Sequence, residues 1–527
     1  MFTEPSIRRA IQHLTANGDT DIFPRLPELK FFSDQEDEVT QAILRMNAGQ
    51  YQPVSSVEVL TPKSRLGFRI GHQLCATDIL FYTAATIEAA QGVEDIRVRA
   101  SGDVAFSYRY DPAGEEGRLF LRERSYHDWL RSLTNFGGET LFGGNPEIVE
   151  TDISDFYSRI YFHRVENLLN DADAPGASKD AIKRIIQTCR ARQSFGLPVG
   201  SSASRLLAEG VLADTDQMLT RLGVTTTRYV DDFKIIANGR QNAHSVLCRL
   251  AEYLMVTEGL SLNPSKTKIT DLAQMHASSS GRLDDVFSPA EMTAMQVFLR
   301  QSYGGEEEED GDDVAALNPF LTGAQLLDRL DELSRRDGDL PSQKVILRML
   351  RHVAIFDPLR LLNDHATLAY YLPRDFSLAI ASACRFGVFL DKSAVAERIF
   401  HLLSTPPICE LAFARLWLLN LFVCGALPPD QRVVDGYPTA RPNALEERQL
   451  VFVRALLGDR AYFRERRGQL GQVGEWIKPA LLIGARCLPA DEYLAWLDVA
   501  IPQTADPLAR AFKAWLRDRR ELPAILE

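Results

Sequence analysis

The sequence predicts an α+β architecture in its first half and an all-α architecture in its second, on three observations. Residues 226–236, TTRYVDDFKII, alternate apolar and polar on both sides of two adjacent carboxylates, the pattern of a hairpin with Asp231 and Asp232 at its turn. Further strand-like segments, an extended one within 57–74, an alternating pair within 96–110 and one at 148–153, are interleaved with stretches of helical period. From residue 314 onward the periodicity is almost continuously helical, broken by short turns such as LPRD and STPP.

Size and composition narrow the function classes. A chain of 527 residues with 45% hydrophobic and 25% charged residues has the make-up of a soluble protein of two to four domains. No apolar run reaches the length of a membrane span, and the N-terminus lacks the regions of a signal peptide. The seven cysteines are scattered without a CxxC pair, which predicts reduced thiols, no zinc site and a cytoplasmic location. A net charge of −12 argues against a protein that coats nucleic acid, but leaves room for one basic cleft. Residues 304–313, GGEEEEDGDD, hold seven acids in ten positions; such a run is expected to be a solvated loop, and its spacing fits no EF-hand.

In chain order, a helix is expected from Ile7 to Leu14, then the loop GDTDIFP at 18–24, then a helix from about Glu38 to Met46. In PKSRLGFR, residues 62–69, Lys63 and Arg69 lie in an extended, glycine-broken segment, an arrangement that suits a triphosphate and equally a plain surface hairpin. A core helix follows from Leu74 to Ala90, with Leu80, Ala84 and Ile87 on one face. IRVRA and VAFSYRY, within 96–110, alternate and read as strands; RLFLRE at 118–123 reads as a third, before a helix from Tyr126 to Leu133.

The chemistry-bearing stretches come next. Ile148 to Ile153 reads as a strand that puts Asp152 at its C-terminal end, and the chain then reads as helix to about Leu169. Asp152 is open to two readings, a cleft carboxylate or a helix cap, and Ser154 or Asp155 would cap as well. GLPVGSS, residues 196–202, is a glycine-bounded loop opening a helix with Leu207, Val211 and Met218 on one face; Gly200 would let backbone approach a base pair or phosphate closely. At the hairpin, asparagine-like tolerance of positive φ gives one aspartate a structural excuse, but two like charges at one tip repel unless a cation sits between them. A divalent metal answers that need. A helix from Gln241 to Thr257 leads into GLSLNPSKTKIT, with Lys266 and Lys268 near its end.

Taken in order, DISDFYSRI, GLPVGSSASRLLAE, YVDD and GLSLNPSKTKI resemble the palm of reverse transcriptases, and PKSRLGFR extends the resemblance into the fingers, over residues 50–270. The resemblance implies a right-hand fingers–palm fold and nucleotidyl transfer with two Mg2+ or Mn2+ ions. It assigns Asp152 and Asp231 as the main metal ligands and Asp232 as the third acid. It further implies that Tyr157 gates against ribonucleotides, that Lys63 and Arg69 hold the triphosphate, and that Lys266 assists pyrophosphate departure as a general acid. One departure stands out: Pro198-Val199-Gly200 replaces the Pro-Gln-Gly of many relatives, which removes a polar contact near the nascent base pair.

The flanks GDTDIFP and GFRIGHQLCATDIL are similar to bacterial reverse transcriptases of phage defence, the unknown-group and abortive-infection types. That resemblance implies a HEAT-like helical C-terminal domain, DNA synthesis that is templated or untemplated, a bound nucleic acid (an RNA template or non-coding RNA, and the DNA product), and a homo-oligomer. Tyr51 and Tyr303 are candidate protein primers, each with a structural reading beside it. The expected domains are N-terminal helices and fingers (1–147), palm (148–285), acidic linker (286–313) and helical domain (314–527). The helices expected there run over 321–334, 342–354, 377–389, 393–403, 408–422, 445–457, 476–485 and 507–519. Competing expectations are a non-catalytic RNA-binding protein that keeps the fold, and an RNA-templated enzyme of retron or intron type.

Overall fold

The computed structural model describes the chain except for residues 1, 21, 47–50, 102–103, 127, 130–145, 191–192, 272–273, 275–321, 336–339, 353–354, 388–389, 440, 519–520 and 527. Tyr303, the acidic run and most of the helix expected at 126–133 lie outside the described residues.

Three helices open the chain: α1 (Glu4–Asn17), α2 (Glu28–Asp34) and α3 (Glu36–Arg45). The Thr3 hydroxyl accepts from the Ser6 N–H, and Pro5 stands in the first turn of α1, where a missing N–H costs nothing. Strands β1 (Val57–Pro62) and β2 (Phe68–Gln73) form an antiparallel hairpin with Lys63 just beyond β1 and Arg69 opposite Thr61. Helix α4 (Ala76–Ser101) is the spine of this half and packs against α1, α7, α8 and α9 (the last three defined below).

Here the structure corrects the reading of 96–110. IRVRA continues α4: it buries Arg97, enclosed by ion pairs, and Ala100 one turn on, while Val98 is 51% exposed. Alternation of aliphatic and arginine therefore marked the wrong face as apolar. Residues 104–110 and 118–121 form no regular strand. They pair locally, with a bridge between Tyr110 and Phe120, and Ala105 bridges in parallel to Arg228.

The second sheet contains β3 (Pro146–Asp152), β4 (Thr225–Tyr229), β5 (Asp232–Asn238) and β6 (Lys268–Asp271), in the order β4-β5-β3-β6, all antiparallel. Because side chains alternate, one face carries Val149, Phe233, Ile235 and Ala237, all buried; the other carries Glu150, Asp152, Asp232 and Lys234. The helix expected after Asp152 is two, α5 (Phe156–Arg159) and α6 (Phe162–Asp171), followed by α7 (Gly176–Cys189). Likewise the helix expected from Ser201 to Met218 is split into α8 (Ser202–Val211) and α9 (Ala213–Arg221), with Ser201 as the cap of α8. Helix α10 (Arg240–Tyr253) covers the apolar face of the sheet beside β3 and β5 and ends in a wider turn over Leu254–Glu258.

Among the described residues the regular elements of the C-terminal half are helices, as its periodicity predicts: α11 (Gly323–Arg335), α12 (Leu340–His352), α13 (Pro358–Asp364), α14 (Leu368–Tyr371), α15 (Pro373–Phe386), α16 (Lys392–Leu403), α17 (Ala412–Val423), α18 (Gln431–Asp435), α19 (Ala444–Leu456), α20 (Arg460–Arg466), α21 (Ile477–Gly484), α22 (Ala490–Ala500), α23 (Pro507–Arg517) and α24 (Leu522–Leu526). Helices α12, α15, α17, α19 and α21 stack one on the next, and α11 packs on α12. Among the described residues no helix is long and apolar enough to cross a membrane.

Candidate active site

The carboxylates expected at the site are brought together by strand register. Asp152 and Asp232 are ladder partners at the ends of β3 and β5, so their Cβ atoms share one face about 5 Å apart. Asp231 sits in the turn between β4 and β5, where its carbonyl accepts from the Ile153 N–H (3.2 Å). The positive φ of that turn falls on Val230 (55°), not on an aspartate as the sequence suggested. A β-branched residue in the left-handed region costs about 1–2 kcal/mol, so the surroundings must impose it.

Lysine 266 reaches the same place from the opposite side. Asn263 donates its N–H to the Asp152 carbonyl (2.8 Å), and Ser154 donates to the Ser261 carbonyl (2.8 Å), which pins 261–267 to the end of β3. The Lys266 ammonium then meets Asp152 Oδ2 at 2.5 Å. Behind this pair Glu150 takes Lys234, Lys268 (3.2 Å) and the Thr270 hydroxyl (3.0 Å).

The electrostatics are those of a crowded anionic pocket. Burial first, then the charges of Asp232 and Asp152, push Asp231 up to about 7. Asp232 is also raised, chiefly by burial and by Asp152, against the opposing pull of Lys266, Lys234 and Lys63. Burial draws Lys266 down, yet its bond to Asp152 and the charges of Asp232 and Asp231 leave it raised overall. Lys63 is exposed at the β1–β2 tip, and its charge is felt at Asp232.

The remaining expected residues fall in several places. Tyr157 is half-buried on α5, its carbonyl accepts from the Leu197 N–H (2.8 Å), and its hydroxyl, raised first by burial, feels the charge of Asp231. Arg69 is exposed on β2. Gly200 has φ 118°, and a Cβ there would come 2.3 Å from Thr20 Oγ1, so its close neighbour is the 18–24 loop. Tyr51 lies apart from the acids: it is 5% exposed, stacked on Phe81 at 4.0 Å, and its hydroxyl donates to Asp78 (2.6 Å).

Two features escaped the sequence reading. Glu150 gives itself away only as an acid two residues before Asp152, hence on the same strand face. Arg228 and Glu209 were visible as charges inside buried runs, RYV and LLAEGVL, but nothing in sequence paired them.

The residues fit a divalent cation in part. Asp152 Oδ1 is buried and without a hydrogen-bond partner, and two of the three acids resist ionisation, both marks of carboxylates grouped for a cation. Among the described residues no three acid, histidine or cysteine side chains already close a metal shell, and the Lys266 ammonium holds one side of Asp152.

Residues 126–287 match the model of the family described as reverse transcriptase (RNA-dependent DNA polymerase). No curated protein matches the chain. Solved structures similar to it include apo telomerase from Candida tropicalis, at 11% identity over 70% of this chain and 69% of that one, with a TM-score of 0.33. Telomerase from Candida albicans, in complex with a TWJ fragment of telomeric RNA, is similar at 11% identity, 72% and 69% coverage and a TM-score of 0.31. The sheet, the ladder of acids and the family match agree: the chain contains a reverse transcriptase domain over residues 126–287.

Proposed function

We propose that the protein is a DNA polymerase of the reverse transcriptase type that adds deoxynucleotides by two-metal catalysis. The opposition of Asp152 and Asp232 across one ladder step, with Asp231 in the adjoining turn, carries this reading. Asp152, Asp231 and Asp232 would hold Mg2+ or Mn2+, which when bound neutralises phosphate charge and activates a hydroxyl as nucleophile. The chain's own residues do the rest. Lys63, on the exposed hairpin tip, attracts the triphosphate toward the acids, with Arg69 on the same hairpin. Lys266 stays protonated and can give its proton to the departing pyrophosphate once Asp152 is shared with a cation. Tyr157, beside Asp231, narrows the space for a ribose 2′-hydroxyl.

The resemblance of GDTDIFP and GFRIGHQLCATDIL supports a role in bacterial defence against phage, with a HEAT-like helical domain and assembly into homo-oligomers in the cytoplasm. Pro198-Val199-Gly200 is compatible with synthesis that does not read a template. Tyr303 remains the candidate primer of the two, since the Tyr51 hydroxyl is engaged by Asp78.

The test is incorporation of labelled deoxynucleotides by purified protein with Mg2+ or Mn2+, with and without added RNA. Incorporation that Asp231→Asn abolishes supports the reading. Absence of incorporation under every primer and template condition refutes it. Label retained on the denatured protein indicates protein priming, whereas products that follow the sequence of added RNA indicate templated synthesis.

A further inference from the structure

Beneath the Tyr229-Val230-Asp231-Asp232 turn lies a sealed ionic network that none of the roles above uses. Arg228, fully buried on β4, spends all five of its N–H donors. Nε and Nη2 grip Asp216 of α9 at 2.7 Å each, and Nη1 donates to Glu209 Oε2 of α8 (2.8 Å) and to the Val230 carbonyl (2.9 Å). The last donor, on Nη2, points to the Glu209 carbonyl at 3.5 Å. Glu209 in turn holds Arg97 of α4 (3.0 Å) and accepts from the Ser107 hydroxyl. That hydroxyl accepts from the Val230 N–H (2.7 Å). Arg97 fixes the position of Ser107 by donating to the carbonyls of Ser107 and Tyr108 (2.7 Å each). Arg97 and Arg109 share Glu94, so the network sets Arg97, Arg109 and Arg228 against Glu94, Glu209 and Asp216.

Both backbone polar groups of Val230, its N–H in the peptide before it and its C=O in the peptide after it, are therefore held from below, at a residue whose left-handed backbone no β-branched side chain prefers. That conformation decides where the next residue, Asp231, points. We propose that Ser107 and Arg228 are positioning residues that clamp Val230 in its left-handed turn and so aim Asp231 and Asp232 together at a divalent cation. The proposal rests on the metal-dependent reading of the site, and it adds two residues that touch neither substrate nor metal.

Ser107→Ala tests it cleanly, because Glu209 keeps Arg97 and Arg228 and no buried charge is stranded. Three measurements are made on the full chain: hydrogen exchange at the 229–232 turn, Mn2+ affinity by electron paramagnetic resonance, and the thermal unfolding midpoint. Loss of one such hydrogen bond is expected to speed exchange at the turn and weaken Mn2+ binding about tenfold each, with little change in the midpoint. Val230→Gly in the Ser107→Ala background, by removing the steric cost of the turn, should recover most of the lost Mn2+ affinity. Arg228→Lys keeps the charge but not the five-donor fork, and is expected to weaken Mn2+ in the same way with a lowered midpoint. Turn exchange and Mn2+ affinity unchanged in Ser107→Ala would overturn the clamp; so would a loosened turn with unchanged Mn2+ affinity. A wild-type chain that incorporates no nucleotide, while Ser107→Ala still loosens the turn and weakens Mn2+, sinks the polymerase reading and leaves the clamp standing.

Discussion

Lys266 is bonded to Asp152, and the Tyr157 hydroxyl feels the charge of Asp231. Lys266 is half-exposed yet bonded to the most buried acid, Asp152, so its ammonium both offsets the local negative charge and stands ready to donate a proton. Lys266→Gln should therefore slow single-turnover incorporation by about 10²-fold, in the range of a lost general acid, while Mn2+ affinity stays the same or tightens because Asp152 Oδ2 is freed. Rapid-quench kinetics alongside a Mn2+ titration check both halves. On the proposed function Tyr157 would act by bulk: Tyr157→Ala should raise the use of ribonucleotides relative to deoxynucleotides, whereas Tyr157→Phe should not, and competition between labelled dGTP and GTP measures it. At this scale much was legible, because Asp152, Asp231 and Lys266 announce themselves by residue type in an ordered set of motifs. Val230 was not, since positive φ was assigned to the residue type that tolerates it best and the structure instead forces it on one that does not.

Elements were legible where one face is apolar and illegible where a buried charge takes the apolar position. The hairpin at 225–238 and the strand ending at Asp152 followed their alternation, as did the C-terminal helices. The stretch 96–110 did not, because its helical part buries Arg97, and the partners that make that burial tolerable, Glu94 and Glu209, lie on the preceding turn and on another helix. The 111–121 loop shows a second such case. It seats on α1 through His13, 1% exposed, whose Nδ1 meets the Gly117 carbonyl at 3.1 Å; a Cβ at Gly117 would come 2.2 Å from the His13 nitrogen. Burial, against that backbone bond, lowers His13 from about 6.5 to about 4. The folded state thus prefers the neutral ring, and this contribution to stability is intact above pH 6.5 and is lost as pH falls toward 4. By linkage the wild type gives up about 2 kcal/mol by pH 5 through this one group. His13→Asn gives up none, so its deficit against wild type should be largest at pH 7 and shrink by that amount at pH 5. Urea unfolding of both chains at the two pH values measures the difference, from which the titration of other buried groups cancels.

At the scale of the whole molecule, the helical half packs on the N-terminal segments. Three indole N–H groups cross the boundary: Trp417 to the Ile22 carbonyl (3.0 Å), Trp476 to the Ser55 carbonyl (2.9 Å) and Trp515 to Asp34 (2.9 Å). Phe23 meets Phe413 edge-on, and Phe31 packs against the stacked pair Phe512 and Trp515. At the tip of the β1–β2 hairpin, Arg65 lies over the Tyr371 ring at 5.6 Å, two residues from Lys63. The helical half therefore braces the same hairpin that carries Lys63, and loosening the boundary should be felt in catalysis. Its strongest polar link is buried: Arg448 grips both oxygens of Glu28 at 2.7 Å. Breaking such a pair from one side strands a charge and costs about 3–5 kcal/mol, whereas replacing both partners by neutral groups costs far less. Arg448→Met should accordingly split thermal unfolding into two calorimetric transitions and raise the KM for deoxynucleotides, since Lys63 loses its brace. Adding Glu28→Gln to it should merge the transitions again and restore KM toward wild type. A double variant as unstable as Arg448→Met would mean that the boundary depends on lost arginine packing rather than on the stranded carboxylate, and an unchanged KM in Arg448→Met would uncouple the helical half from the nucleotide hairpin.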